Sequence, residues 1–291
     1  MSSNVIQWFP GHMAKARREA TEKMHLVDVV IELVDARIPE SSRNPMIDDI
    51  VGNKPRIIAL NKSDLANPAL TQQWIESYES QGIPAVAIDS QHNKGLRGLQ
   101  QRIQVLMVPY FEKQKERGVK PRSIRLMILG IPNVGKSTLI NRFVGKNQAQ
   151  TGNKPGVTKA QRWLKINNQF DLLDTPGILW PKFEDPNVGT KLGITGAIKD
   201  SLLYMDDLAI YLLSLLQEIS AETIKDKYGV TMDVVLDSTS VDLLLEITKK
   251  MGLKDNFDEA SQRIIMDYRK GNLGQITLDR VVDTKNVKTN D

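Results

Sequence analysis

The sequence predicts an α/β fold, a mostly parallel sheet flanked by helices, followed by a region built of helices alone. Three observations lead there. Between residues 14 and 174, short apolar runs alternate with amphipathic stretches. One of those runs, IRLMIL at 124–129, feeds a glycine-containing loop, GIPNVGKS at 130–137, which opens a helical stretch. From Ser201 onward only helical periodicity is present.

Taken in order, residues 14–26 read as a helix, and VVIELV (29–34) as a buried strand that gives way at Asp35 to the polar loop DARIPESSRNP. RIIAL (56–60) is a second strand, running straight into NKSD. NPALTQQWIESYESQ puts Trp74, Ile75 and Tyr78 on one helical face. IPAVAI (83–88) is a third strand, and GLRGLQQRIQVLMVPYF (95–111) a further helix. The stretch EKQKERGVKPRS (112–123) is polar and carries Gly and Pro, so a linker is expected at about 111–123. After the strand at 124–129, AQRWLKI and FDLLD are two more strands. SLLYMDDLAIYLLSLLQEI, SVDLLLEITKKMG and FDEASQRIIMDYRKG are helices. The expected division is residues 1–200 and 201–291, the second part a helical domain.

Composition narrows the class. The chain has 291 residues, 41% of them hydrophobic and 25% charged, as in an ordinary globular protein with a sizeable core. It has no cysteine, which excludes disulfides and thiolate zinc sites and fits a reducing compartment. The first twenty residues lack the apolar core of a signal peptide. The two most apolar stretches, LVDVVIELV and LLYMDDLAIYLLSLL, are broken by carboxylates, so no membrane span is expected. The net charge of +4 conceals an asymmetry: residues 1–201 hold 28 Lys and Arg against 19 Asp and Glu, whereas the remainder is net acidic. A basic N-terminal part points to a polyanionic partner.

Four motifs carry chemistry. In Gly130-x-x-x-x-Gly135-Lys136-Ser137, the glycines let backbone N–H groups wrap phosphates, with Asn133, Val134 and Thr138 in or beside the loop. Lys136 is placed to reach the β- and γ-phosphates, and the Ser137 hydroxyl to ligate Mg²⁺. LLDTPG (172–177) ends a strand; Asp174 suits Mg²⁺ held through water, and the Gly177 N–H suits the γ-phosphate. KPGVTKAQ (154–161) lies between them and offers Thr158 as a second hydroxyl for Mg²⁺. In NKSD, the Asp64 carboxylate can accept from N1–H and the 2-amino group of guanine, which adenine cannot match, while Asn61 would meet the base edge and Lys62 lie across its face. IDSQHNKG (88–95) would close over the base through Ser90 and Gln91.

These are the parts of a GTP-binding P-loop fold, in rotated order. The base reader precedes the phosphate loop, because a parallel sheet depends on which strands are neighbours and not on where the chain is cut. One consequence is that the chain leaves the γ-phosphate loop directly for the helical region, which suits a nucleotide switch.

The motif order, with WFPGHMAKARRE, LVDARIP, NKSD, GIPNVGKST, KPGVTK and DTPG, resembles the circularly permuted GTPases of the YlqF/RbgA type, ribosome biogenesis GTPase A, over essentially the whole chain. The resemblance implies a cytoplasmic, monomeric bacterial GTPase that binds GTP and GDP and assists assembly of the large ribosomal subunit, with rRNA and ribosomal proteins as partners. It implies Mg²⁺ as cofactor. It also implies a catalytic role for His12, since Ile178 stands where many GTPases keep a water-orienting Gln, and it matches Asn133 to an asparagine that ligates K⁺ in potassium-activated relatives. In the C-terminal domain, where the family is thought to touch rRNA, Arg263, Arg269 and Lys270 form the densest basic group. A nucleotide-gated binding module with incidental hydrolysis is the alternative that Ile178 keeps open.

Overall fold

The computed structural model describes residues 10–120, 122–145, 162–166, 168–174, 183 and 185–281. Helix α1 (Pro10–Lys23) begins four residues before the sequence-based expectation and gives way to a short 3₁₀ turn at Met24–Leu26. Proline at the first helical position explains the early start: its φ is already helical and its missing N–H has no partner to lose there. The next elements are β1 (Val29–Asp35), α2 (Met46–Val51), β2 (Arg56–Asn61), α3 (Pro68–Ser80), β3 (Ala85–Ala87) and α4 (Leu96–Glu116). Asn67 caps α3 by accepting from the Leu70 N–H, with Pro68 at the first position. Helix α4 runs five residues into the expected linker, because Glu112, Lys113, Gln114, Lys115 and Glu116 are all good helix formers and nothing stops them before Gly118.

Strand β4 (Ile124–Leu129) leads to α5 (Lys136–Val144), and β5 (Arg162–Lys165) and β6 (Phe170–Asp174) complete the sheet. Its order is β3-β2-β1-β4-β6-β5, parallel except for β5 against β6. From the neighbouring strands β1 and β4 the chain winds outward in opposite directions, β1 toward β2 and β3, β4 toward β6. That reversal opens a crevice at the carboxyl ends of the strands, where open α/β sheets place their ligands. Every nucleotide motif expected from the sequence that lies among the described residues follows one of those ends.

Residues of β1 alternate between the faces of the sheet. Val29, Ile31 and Leu33 join the larger core with Leu99 and Ile103 of α4 and Leu139 of α5, while Val30 packs with Ala16 and Ala20 of α1, and Val34 with Trp74 and Tyr78 of α3. The one charged residue inside the strand, Glu32, is fully buried and is neutralised by Arg43 at 3.0 Å and Arg56 at 3.2 Å.

The helical part comprises α6 (Pro186–Ile194), α7 (Met205–Ile219), α8 (Ala221–Tyr228), α9 (Met232–Asp237), α10 (Ser240–Lys250) and α11 (Phe257–Lys270). Its core, with Leu212, Leu216, Ile247 and Ile264, is continuous with that of the sheet. After α11 the chain turns at Gly271 (φ +77°) and runs back along the GTP-motif loops. A Cβ on Gly271 would lie 2.7 Å from the Leu65 side chain, so the turn sits directly against the NKSDL loop. In this return segment the Ile276 N–H donates to the Leu65 carbonyl and the Leu278 N–H to the Arg37 carbonyl, while Asp279 accepts from the Ser41 N–H and hydroxyl and pairs with Lys191 at 2.8 Å.

Candidate active site

Asn61, the last residue of β2, is buried and joins three loops. Its Nδ2 donates to the Val134 carbonyl at 2.8 Å, and its Oδ1 accepts from the Ser90 N–H at 3.1 Å. The approach is close enough that Gly135 must be glycine: its φ is +103°, and a Cβ would stand 2.2 Å from the Asn61 amide nitrogen. The phosphate loop, the NKSD loop and the Ser90 loop therefore meet at one side chain, although 73 residues separate Asn61 from Val134.

Lys136 opens α5 nearly buried, with its Nζ donating to the Gly130 carbonyl at 3.0 Å and the Ile131 carbonyl at 2.6 Å. Its ammonium lies over the loop that the glycines shape. Ser137 and Thr138 follow in the first turn of α5, both half-buried. Asn133 has a left-handed backbone (φ +58°), and its amide donates to the Gly196 carbonyl at 2.7 Å.

In the NKSD loop, Lys62 is also left-handed (φ +60°) and its Nζ donates to Asp35 at 2.9 Å. The Ser63 N–H donates to the Ile88 carbonyl, and the Asp64 carboxylate is a quarter exposed. His92 lies 3.8 Å from Asp64 and is hydrogen-bonded to Asp89 at 2.7 Å, so its imidazole sits between the NKSD loop and the Ser90 loop. Among the described residues Asp64, Asp89 and His92 form the only group close enough to share a metal ion. Asp89 accepts from the His92 backbone with one oxygen and from its ring with the other, which makes the cluster a hydrogen-bonded turn.

Several contributors were not visible as motifs. Arg142 of α5 donates to the Ser90 carbonyl at 3.1 Å and the Gln91 carbonyl at 2.6 Å, so the helix that follows the phosphate loop also holds the loop expected over the base. Gln275 and Thr277 of the return segment hold the NKSD loop from the other side: Gln275 donates to the Asp64 carbonyl, and the Thr277 hydroxyl accepts from the Asn67 N–H. The end of α6 exposes four successive carbonyls, each taken by a side chain from elsewhere. Arg269 of α11 donates to Gly193 and Ile194, Arg37 to Thr195, and Asn133 to Gly196. Arg269 also pairs with Asp200 at 2.7 Å, and Arg263 is paired with Glu259. Of the basic group expected on α11, Arg269 is thus turned inward to the junction.

The neighbouring, parallel β4 and β6 bring the phosphate loop beside Asp174, the last residue of β6. Ser137 and Asp174 offer hard oxygen donors, which suit Mg²⁺. Thr158, Gly177 and Ile178 lie outside the described residues, as do the side chains of Asp174 and of His12, whose backbone falls in the first turn of α1.

Over 281 residues the chain is 51% identical to the ribosome biogenesis GTPase A of Priestia megaterium, covering 94% of this chain and 96% of that one. The chain belongs to the ribosome biogenesis GTPase A family. It is also 51% identical to the member from Bacillus licheniformis, over 96% of this chain and 99% of the other. Residues 125–236 match a family model described as a 50S ribosome-binding GTPase. The solved structure of GNP-bound YlqF from T. maritima superposes with a TM-score of 0.63 at 24% identity, covering 91% of this chain and 98% of that one, which establishes the shared fold. The protein is accordingly a GTPase of ribosome biogenesis, and it converts GTP to GDP and phosphate. GTPases of this kind use Mg²⁺ to neutralise charge developing between the β- and γ-phosphates. Among the described residues no helix is long and apolar enough to cross a membrane.

Proposed function

We propose that this GTPase drives assembly of the large ribosomal subunit in the cytoplasm, turning over slowly alone and faster on its ribosomal partner. The observation that carries the site assignment is Asn61, whose two hydrogen bonds bring the base-reading and phosphate-binding loops into one crevice. In this reading Asp64 accepts from the guanine edge, Lys62 lies along its face, and Ser90 and Gln91 close over it. Backbone N–H groups of Asn133 to Thr138 wrap the phosphates, and Lys136 leaves its carbonyl partners for the β- and γ-oxygens. Ser137, Thr158 and, through water, Asp174 hold Mg²⁺.

Two further roles complete the site. Asn133 binds K⁺ beside the phosphates, supplying charge that an arginine supplies elsewhere. His12 orients the attacking water, which Ile178 cannot do because it has no hydrogen-bonding group. Contact with rRNA is assigned to the cleft between α8, α10 and α11, where Lys227, Lys250, Arg263 and Lys270 outnumber the one carboxylate, Asp267, around Tyr228, Met251 and Met266. Cationic side chains around an apolar floor suit a phosphate backbone with exposed bases.

The test is single-turnover GTP hydrolysis with and without purified large subunits. An unassisted rate on the order of 10⁻⁴ to 10⁻³ s⁻¹ should rise at least a hundredfold at saturating subunits. His12→Ala should remove most of the increase while leaving GTP binding in place. Equal rates with and without subunits would overturn the proposal.

A further inference from the structure

Asp35 stands at the end of β1, in register with Asn61 on β2. Its carboxylate is almost wholly buried and accepts four hydrogen bonds. Arg37 supplies its backbone N–H at 3.1 Å, Nε at 2.9 Å and Nη2 at 2.8 Å, and Lys62 supplies Nζ at 2.9 Å. Burial pushes the carboxyl upward in pKa, but the two cations more than reverse this and hold it well below the usual carboxylate range.

The bidentate guanidinium of Arg37 already compensates the buried charge of Asp35. The bond to Lys62 is therefore additional, and its effect falls on the lysine. A free lysine side chain samples many rotamers, and ordering it costs up to about 2 kcal/mol. In this structure both ends of the Lys62 side chain are constrained: the backbone is left-handed, and Nζ is bound to a buried carboxylate. That carboxylate is itself braced, since Arg37 donates to the Thr195 carbonyl at 3.4 Å and its guanidinium lies 5.3 Å from the centre of the Tyr268 ring of α11.

We propose that Asp35 is a positioning residue for guanine nucleotide binding, acting through Lys62 by holding the lysine stem in its base-facing course before the nucleotide arrives. This rests on the assignment of Lys62 to the base face. An ordered stem loses less entropy on binding, so affinity rises without a new contact to the ligand.

The test is a double-mutant cycle on GDP affinity, measured by calorimetry on the full chain. Lys62→Met alone should weaken binding; if it does not, the assignment of Lys62 to the base face fails. With that in hand, Asp35→Asn should raise the Kd for GDP about tenfold in the wild-type background and less than twofold in the Lys62→Met background. In steady-state turnover the loss should be carried by KM. A tenfold loss in both backgrounds would show that Asp35 acts through the general fold, and the proposal would be wrong. A loss below twofold in the wild-type background would equally overturn it. Thermal unfolding of nucleotide-free protein monitors folding throughout. If Asp35→Asn does not fold, Asp35→Asn with Arg37→Met removes the buried cation together with its partner, and the same cycle is run on that background.

Discussion

Replacing Asn61 by alanine should weaken nucleotide binding by a margin that the structure sets. The side chain makes two buried hydrogen bonds, to the Val134 carbonyl and from the Ser90 N–H, and both partners are themselves almost inaccessible. Alanine removes both bonds and leaves one acceptor and one donor without a partner. Each orphaned buried group costs about 1–3 kcal/mol, and loop relaxation toward water keeps the total nearer the lower end, about 2–4 kcal/mol. Because the lost bonds join loops at the rim of the sheet and not core elements, most of this falls on loop arrangement. At roughly 1.4 kcal/mol per decade, GDP affinity should drop between about 30-fold and 1,000-fold. Calorimetric titration of GDP reads the loss directly, and thermal unfolding separates it from global destabilisation. Asn61→Asp should be no better than alanine, since it keeps the acceptor for Ser90 but sets an anionic oxygen against the Val134 carbonyl. A folded Asn61→Ala protein that binds GDP within threefold of wild type would refute the idea that this side chain assembles the site.

Other outcomes follow from the same geometry. Asp64→Asn should lose affinity for GTP and gain it for xanthosine nucleotides, because one acceptor of the carboxylate becomes a donor; competition between the two nucleotides measures the switch. Replacing K⁺ by Na⁺ at constant ionic strength should slow hydrolysis, and Asn133→Ala should abolish the difference; equal rates in both salts for the wild type would remove K⁺ from the mechanism. Arg269→Gln breaks two bonds to the α6 carbonyls and a pair with Asp200, so hydrogen exchange in 193–204 should accelerate by about tenfold or more while the core of α7 stays protected. Asp35 binds fewer protons folded than unfolded, so its stabilisation is complete above the ordinary carboxylate range and is lost as pH falls through its lower folded value. The difference in urea midpoint between wild type and Asp35→Asn should therefore stay constant from pH 8 to about pH 5 and shrink below about pH 4.

Much of the fold was legible because its signals are local. The strand at 124–129 has the bounds expected from its apolar run, and the parallel strands at 29–35 and 56–61 agree to within a residue, since continuous β-branched and leucine-rich segments bounded by polar loops leave few alternatives. Errors fell where local composition misleads. Helix α4 continued through a charged stretch that resembled a linker, and α1 began at Pro10, ahead of the expected start at residue 14. The short helices α2, α8 and α9 have too few turns to show a clear period. On α11, a basic cluster read from sequence contains one arginine spent inside, because periodicity places Arg269 on a face but does not say what that face meets.

By itself the sequence determined the inventory of this protein: which strands exist, which loops carry the motifs proposed for phosphate, guanine and magnesium, and that their order is rotated. Those properties are local, being set by glycines, apolar runs and spacing within a motif. Only the tertiary structure decided how the inventory is wired. That Asn61 closes on Val134, Arg142 on the Ser90 loop, Gln275 and Thr277 on the NKSD loop, and Arg269 on the end of α6 depends on which strands are neighbours and where the return segment lies. Asp35 shows the reason most plainly. Its pairing with Arg37, two residues on, is local, but its bond to Lys62 follows from the parallel pairing that sets Asp35 beside Asn61, one residue before the lysine.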